Sequence, residues 1–219
     1  MPLTDITSRV SGLLPAGMVL RTGKIHQYQR PLAREEEQLI QEAQPHRLRE
    51  FTAGRAIAKE AMQHLGVESV PIGRSEDGCP LWPPSVVGSI SHKGGLCGAI
   101  VADSTFCAAV GFDIEFMEHL DRDVWKTFAS EEEISQAALC DMEKSCFANI
   151  LFSAKEAHFK ALYPLLGQQA PSLAKITLLV KNHNNHIVTS FAGNGVSTCG
   201  GIVCGPQASL AWALSKKNV

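Results

Sequence analysis

The segment AAVGFDIE, residues 108–115, joins an apolar run to two acidic residues at its end. This composition predicts a β-strand, in which successive side chains point to opposite faces. Asp113 and Glu115 then share one face, and Phe112 and Ile114 share the other. Two carboxylates at this spacing can hold one hard cation such as Mg²⁺, which takes its other oxygens from water and substrate phosphate. A solvated strand end fits the same pattern.

A second group of charges lies in the segment FSAKEAHFK, residues 152–160, within a largely apolar predicted helix. Charged side chains on such a helix need partners. Glu156 and Lys160 are four residues apart and could form a simple surface pair. The alternative is that Glu156 joins Asp113 and Glu115 as a third ligand of the cation, while Lys155 and Lys160 face phosphate charge.

The segment SISHKGG, residues 89–95, predicts a strand that runs into a glycine turn. Such a turn exposes backbone N–H groups, and the neighbouring His92 could also contact an anion. A purely structural histidine is the alternative interpretation. Ser91 lacks the surrounding glycines of a serine-hydrolase nucleophile, so this type of hydrolase is not favoured.

The order of predicted elements indicates an α+β fold. Helices are predicted over residues 33–44, 45–65, 130–139 and 145–162, and strands over 86–91, 96–102, 108–115, 176–180, 187–191 and 210–214. Gly66 should end the second helix, and Ser130 with Glu133 predicts a capping box. We divide the chain into an N-terminal half, residues 1–116, and a C-terminal half, residues 117–219.

Composition narrows the class of protein. The chain has 219 residues, with 22 acidic and 20 basic side chains and a formal net charge of −2, so it lacks the basic surplus of a nucleic-acid-binding protein. Its seven cysteines contain no C-x-x-C pair, which favours a reducing compartment. No segment predicts a membrane span, and the N-terminal segment is a poor signal peptide. We therefore expect a cytoplasmic protein.

Five motifs occur together in a fixed order: FTAGR at 51–55, WP at 82–83, GSISH at 88–92, VGFDIE at 110–115 and FSAKEAHFK at 152–160. This set resembles the 4′-phosphopantetheinyl transferases of the surfactin and enterobactin type, and is nearer the enterobactin branch. The joint order is far more specific than any one motif.

The resemblance implies two pseudo-symmetric α+β halves, with coenzyme A bound in the cleft between them. It also implies transfer of 4′-phosphopantetheine from coenzyme A to a serine of an apo carrier protein, with release of 3′,5′-ADP. The cation would be Mg²⁺, or Mn²⁺ in its place, held by Asp113, Glu115 and Glu156. Glu156 is the first candidate for accepting the serine proton, and Lys160 for stabilising the transferred charge.

The resemblance assigns the coenzyme to basic and polar residues of both halves, namely Arg47, Arg55, Ser91, His92 and Lys155. Relatives often carry a basic residue shortly before the W-P pair, where this chain has Glu76, Asp77 and Gly78. Arg74 is one candidate to replace it. Lys93 is the other, because it follows the histidine where relatives often have a small residue or cysteine.

Two alternatives from other classes remain open at this point. A metal-dependent phosphodiesterase or nuclease also uses clustered carboxylates and lysines, but no extensive basic patch is present for a polynucleotide. A non-catalytic module that binds coenzyme A is the second alternative. If the transferase reading holds, we expect a monomer, and the carrier could belong to siderophore, polyketide, polyunsaturated or ordinary fatty-acid synthesis.

Overall fold

The computed structural model describes residues 2–183 and 186–216. The helices are α1 (Leu3–Leu13), α2 (Arg34–Gln38), α3 (Pro45–His64), α4 (Arg122–Trp125), α5 (Glu131–Ser135) and α6 (Lys144–Leu166). The strands are β1 (Met18–Lys24), β2 (Gly73–Arg74), β3 (Pro80–Leu81), β4 (Val86–Lys93), β5 (Leu96–Asp103), β6 (Cys107–Phe116), β7 (Leu179–His183), β8 (His186–Gly193), β9 (Val196–Cys204) and β10 (Ala208–Lys216). The predicted α+β class is confirmed.

Two antiparallel sheets carry most of the fold. The first has the order β1-β5-β4, and the second has the order β6-β10-β9-β8-β7; β2 and β3 form a small separate pair. Helix α3 packs on the first sheet and α6 on the second. Each long helix buries an apolar face against its sheet. The removal of this apolar surface from water stabilises the fold.

Serine hydroxyls join the two sheets where β4 lies beside β6. Ser89 Oγ accepts a hydrogen bond from the backbone N–H of Phe112 at 3.0 Å, and Ser91 Oγ accepts one from Ile114 at 3.3 Å. The alternation of strand β4 brings both hydroxyls to the same side. They accept hydrogen bonds from buried N–H groups of β6, and so hold this strand, which carries Asp113 and Glu115, against the first sheet.

The structure confirms most predicted elements and corrects several. Helix α3 begins at Pro45 as predicted, and Gly66 has a φ of +83° just beyond its end. Helix α6 runs four residues further than predicted, whereas the helix predicted over 33–44 shortens to Arg34–Gln38. The capping box at Ser130 and Glu133 is confirmed, with its two bonds at 3.2 Å.

Three of the longer elements have no counterpart among the predicted helices and strands, namely α1, β1 and β9, and neither do the short elements β2, β3 and α4. Strand β9 contains Gly200 and Gly201, which argue against a strand by composition. The close approach of β10 requires them, because a Cβ on Gly201 would lie 2.8 Å from the Trp212 ring. The glycines therefore mark tight packing rather than turns.

The sheet pairing assigns β6 to the C-terminal strands. Asp113 pairs with Ala211 and Glu115 with Ser209, both on β10. The sequence prediction placed this strand at the end of the first half, so the hydrogen-bonded structure moves it into the second sheet. The division at residues 116 and 117 itself stays a prediction. In the part of the chain that the structure describes, no helix is long and apolar enough to cross a membrane.

Candidate active site

The two carboxylates of β6 are buried on the face that meets α6. Asp113 and Glu115 retain only 5% and 8% of their exposure. Burial raises the pKa of Glu115, and the hydrogen bond from Lys93 opposes this shift. Buried carboxylates keep their charge only beside cations or donors, so the contacts of each group decide what the site can do.

Gly111 sets the distance between β6 and α6. A Cβ on this residue would clash with the carbonyl oxygen of Ala157 and would lie 2.7 Å from the amide nitrogen of Ala161. The helix backbone therefore rests directly on the strand. Glu156 directly precedes Ala157 on α6, so this contact brings Glu156 close to the two carboxylates of β6.

Glu156 shares the electrostatic environment of Asp113 and Glu115. Its pKa is raised mainly by burial, and the nearby charges of Asp113 and Glu115 raise it further, whereas Lys160 lowers it. The sequence prediction that Glu156 lies near the other two carboxylates therefore agrees with the electrostatics. As a set, however, the ligand oxygens of the three do not lie within 4.8 Å of one another.

Asp113 is the most highly connected group of the site. Ser91 Oγ donates to its Oδ1 at 3.0 Å, Ser153 Oγ donates to Oδ2 at 2.9 Å, and Lys160 Nζ donates to Oδ1 at 2.7 Å. The Lys160 ammonium also donates to the carbonyl of Phe112 at 3.2 Å. Ser91 therefore positions Asp113 in this structure. The sequence analysis assigns Ser91 a different role, a contact with the coenzyme.

Lys93 pairs with the second carboxylate of β6. Its Nζ lies 2.8 Å from Glu115 Oε2 and 3.1 Å from Oε1, and this hydrogen bond raises the pKa of the lysine. The side chain is 41% exposed, so it lies at the rim of the site. The structure therefore places Lys93 on a carboxylate rather than in the basic cavity described next.

A small cavity gathers the basic residues of the first sheet and α3. Its volume is about 130 Å³, and its lining includes Arg47, Arg55, Arg74 and His92. Arg47 Nη1 lies 2.9 Å from His92 Nε2. Because the guanidinium can only donate, Nε2 accepts and the ring proton is on Nδ1, which faces Glu50 at 3.4 Å. Burial lowers the pKa of His92, with Glu50 opposing.

Arg55 is largely a structural part of this cavity wall. It is 5% exposed, stacks over Phe51 at 4.4 Å, and donates to the carbonyls of Ile72 at 3.0 Å and Gly73 at 3.1 Å. Burial lowers its pKa to about 10. Arg55 thereby fixes the β2 segment that carries the exposed Arg74, and the two guanidinium groups reach the cavity together.

A larger cavity of about 680 Å³ continues from the basic one, since Gly78, Pro80 and Ile90 line both. Its far wall comes from α6 and includes Phe159, Lys160, Tyr163 and Pro164. The two cavities thus connect the arginine cluster to Lys160 and, through it, to Asp113. An elongated molecule with phosphate at one end and an apolar portion would fit this shape and charge pattern.

Lys155 lies elsewhere, and its predicted contact with phosphate is corrected. Its side chain has no exposure, and Nζ donates to Glu133 at 2.8 Å and to the carbonyls of Phe128 and Leu173 at 2.6 and 3.2 Å. All three ammonium protons are used inside the C-terminal half. Burial lowers the lysine pKa, and Glu133 opposes the shift.

Helix geometry alone predicts that Lys155 points away from the face that carries Glu156 and Lys160. Residues of an α-helix advance by about 100° each, so Glu156 and Lys160 share a face, and Lys155 does not. Sequence reasoning also missed Ser153 and Glu50. Ser153 is one turn before Glu156 on α6, and Glu50 is one turn after Arg47 on α3, so the same spacing rule provides a signal for both.

The donor chemistry of the three carboxylates fits a hard divalent cation. Mg²⁺ prefers carboxylate oxygens and keeps several waters. Asp113 and Glu115 share one strand face, and Glu156 approaches from the helix opposite.

This combination, an acidic site that adjoins a two-part cavity with arginines at its far end, is typical of an enzyme that acts on a phosphorylated cosubstrate. Comparison with known proteins agrees. Residues 35–102 match a family model described as the 4′-phosphopantetheinyl transferase N-terminal domain, and residues 109–216 match the 4′-phosphopantetheinyl transferase superfamily. The chain belongs to this superfamily.

Several curated relatives are similar over much of the chain. It is 33% identical over 158 residues to the 4′-phosphopantetheinyl transferase Npt of Nocardia iowensis, which covers 71% of this chain and 70% of Npt. It is 37% identical over 135 residues to Svp of Streptomyces mobaraensis, covering 61% and 55% of the two chains. It is 31% identical over 148 residues to enterobactin synthase component D of Salmonella typhimurium, covering 65% and 60%.

Proposed function

We propose that this protein transfers the 4′-phosphopantetheine group of coenzyme A to a serine of an apo carrier protein and releases 3′,5′-ADP. The observation that carries the proposal is the connection between the arginine-lined cavity and the Asp113–Lys160 pair. Relatives named as 4′-phosphopantetheinyl transferases support it, and the matched region spans 55% of the length of Svp and 70% of that of Npt.

The basic cavity would bind the 3′-phosphate end of coenzyme A. Arg47, Arg74 and His92 line it, and a guanidinium group can bind a phosphate through two parallel N–H donors. The larger cavity would hold the apolar portion of the cosubstrate and direct its pyrophosphate toward Lys160. This arrangement separates recognition at one end from chemistry at the other.

In the proposed reaction, the serine oxygen of the carrier attacks the β-phosphorus of coenzyme A. A phosphorus–oxygen bond to serine forms, the bond between this phosphorus and the bridging oxygen breaks, and 3′,5′-ADP leaves. Glu156, with its raised pKa, would accept the serine proton. Lys160 would face the charge on the transferred phosphate. Mg²⁺, held by Asp113, Glu115 and Glu156, would supply charge neutralisation at the pyrophosphate.

We also propose that the chain consists of two related halves. Two matching sets of contacts support this. Buried Glu36 accepts from the N–H groups of Ala33 and Ile72 and from Lys59 Nζ at 2.5 Å. In the second half, Glu133 accepts in the same way from Ser130, Leu178 and Lys155.

The sequence repeats at the same places. The tetrapeptide A-K-E-A occurs at residues 58–61 and again at 154–157, with Lys59 and Lys155 in the second position of each copy. The strand order of the two sheets also corresponds. In each sheet the first strand along the chain pairs with the last, which pairs with the strand before it: β1-β5-β4 in the first sheet and β6-β10-β9 in the second. By this correspondence Glu60 would be the counterpart of Glu156. It pairs instead with Arg21 at 3.6 Å, which would leave a single active site.

Intact-mass spectrometry tests the proposed activity. The purified protein, coenzyme A, Mg²⁺ and an apo carrier should give a carrier that is heavier by one phosphopantetheine, and Asp113→Asn should not. The kinship with enterobactin synthase component D makes a peptidyl carrier of siderophore synthesis the first choice, followed by polyketide and fatty-acid carriers. Absence of a mass shift on every carrier type would refute the activity.

A further inference from the structure

Three residues with metal-binding side chains meet where the loop after β6 contacts the start of α6. His119 belongs to the loop, Glu143 immediately precedes the helix, and Cys146 lies in its first turn. Glu143 is the N-cap residue of α6 and Cys146 is at position N3, and the side chains of these two positions lie close together at the start of a helix. Among the described residues, these three are the group whose ligand atoms all lie within 4.8 Å of one another.

We propose that His119, Glu143 and Cys146 bind a thiophilic divalent ion of the Zn²⁺ type, at a site separate from the carboxylates of the catalytic cleft. The distances from one ring nitrogen of His119 agree with tetrahedral coordination. Bonds of about 2.3 Å to sulfur and about 2.0–2.2 Å to nitrogen and oxygen imply ligand separations of about 3.3–3.6 Å. Cys146 Sγ and Glu143 Oε2 each lie 3.5 Å from His119 Nδ1.

The surroundings of His119 hold its ring at the start of α6. Ser145 Oγ lies 2.9 Å from Nδ1, the nitrogen that faces both Glu143 and Cys146, and this hydroxyl would give way to the ion. The backbone also holds the loop in place, since the Leu120 N–H donates to the carbonyl of Ser145 at 3.2 Å.

The donor set selects the class of ion. One thiolate, one imidazole and one carboxylate suit Zn²⁺ or Co²⁺, whereas Mg²⁺ prefers oxygen ligands alone. On binding, the Cys146 thiol releases its proton to solvent and the thiolate coordinates the ion. The side chains of His119 and Glu143 are 68% and 75% exposed, so an ion reaches the site directly and water completes the fourth position.

The position of the site suggests what the ion does. The loop begins at Met117, two residues after Glu115, and ends at α4, while α6 carries Glu156 and Lys160. An ion shared by His119 and the start of α6 would cross-link the two chain segments that supply the catalytic carboxylates. Binding of the thiophilic ion would therefore stiffen the cleft edge without occupying the cleft.

Cobalt spectroscopy on the full chain tests this inference. Co²⁺ added to the protein in a phosphine reductant should give a thiolate-to-cobalt absorption band in the near ultraviolet, with an amplitude that corresponds to one cobalt–thiolate site per chain. Zn²⁺ should abolish the band by competition, and Mg²⁺ should not. Cys146→Ser should remove the band, and His119→Ala should weaken Co²⁺ affinity by about tenfold or more, the scale expected when coordination is lost.

Two matched variants make the outcome specific. Cys140→Ser removes a neighbouring half-buried thiol and should keep the band, and Asp113→Asn removes a cleft carboxylate and should also keep it. A wild-type titration without a thiolate band would overturn the site, as would a band that survives Cys146→Ser or disappears in Asp113→Asn. Because none of these measurements uses a carrier protein or coenzyme A, the result is independent of the proposed transferase activity.

Discussion

Replacement of Lys155 by methionine distinguishes the structural role of this lysine from a contact with phosphate. The variant keeps the length of the side chain but loses the ammonium. The buried carboxylate of Glu133 would then keep only its backbone donors, and the carbonyls of Phe128 and Leu173 would lose a partner. Breaking a buried ion pair from one side costs about 3–5 kcal/mol, so unfolding in urea should show a loss of this size.

The first half of the chain offers a matched control. Lys59 makes the same contact with Glu36, but its side chain is 21% exposed, whereas that of Lys155 is fully buried. Water can partly replace the lost ammonium there, so Lys59→Met should cost less, roughly 1–2 kcal/mol, between the values for exposed and buried pairs. Both variants should bind coenzyme A as the wild type does under conditions where they are folded.

A double variant keeps the test decisive if Lys155→Met does not fold. Glu133→Gln combined with Lys155→Met removes both charges, and should recover part of the lost stability because no buried charge remains. Calorimetric titration with coenzyme A provides the second readout. Unchanged stability of Lys155→Met together with strongly weakened coenzyme binding would show that the lysine reaches the ligand and that its buried placement is wrong.

Four further changes probe the packing, the cation, the cosubstrate and the core. Gly111→Ala should lower the free energy of unfolding by about 3 kcal/mol through its clash with α6, whereas Gly12→Ala, which meets open space, should be neutral or slightly stabilising in the same urea experiment. Asp113→Asn should abolish Mn²⁺ binding measured by electron paramagnetic resonance, with a native circular dichroism spectrum; retained binding would remove this residue from the cation site. Arg47→Ala should weaken coenzyme A binding about tenfold and dephospho-coenzyme A binding less, so equal losses in calorimetry would contradict a contact with the 3′-phosphate. Burial lowers the pKa of His158 to about 3, and a histidine with a depressed folded pKa stabilises above its unfolded pKa and loses this contribution as pH falls below about 6.5. At pH 5 this group should cost about 2 kcal/mol, and a flat unfolding profile from pH 7 to 5 would refute its buried neutral state.

Sequence patterns predicted the elements that depend on close neighbours along the chain. Helix α3 follows from Pro45, its apolar spacing and Gly66, and β4, β5 and β6 follow from continuous apolar runs. Leu48 is an exception, because it recurs with Phe51 and Met62 at three- and four-residue steps along α3 but is 41% exposed, whereas the other two are buried. Strand β1 escaped prediction, since its residues alternate weakly and become a strand only through pairing with β5.

The sequence by itself determined that Asp113 and Glu115 share a face and that Glu156 and Lys160 share another, because strand and helix periods are local properties of the backbone. Only the tertiary structure decided that Lys160 meets Asp113, that Lys93 meets Glu115 and that Lys155 turns into the core. These pairings depend on the rotation and depth of α6 over the sheet, which Gly111 sets through a contact between distant segments. Burial then fixes the Lys155 ammonium on Glu133, because an unpaired buried charge is too costly to keep.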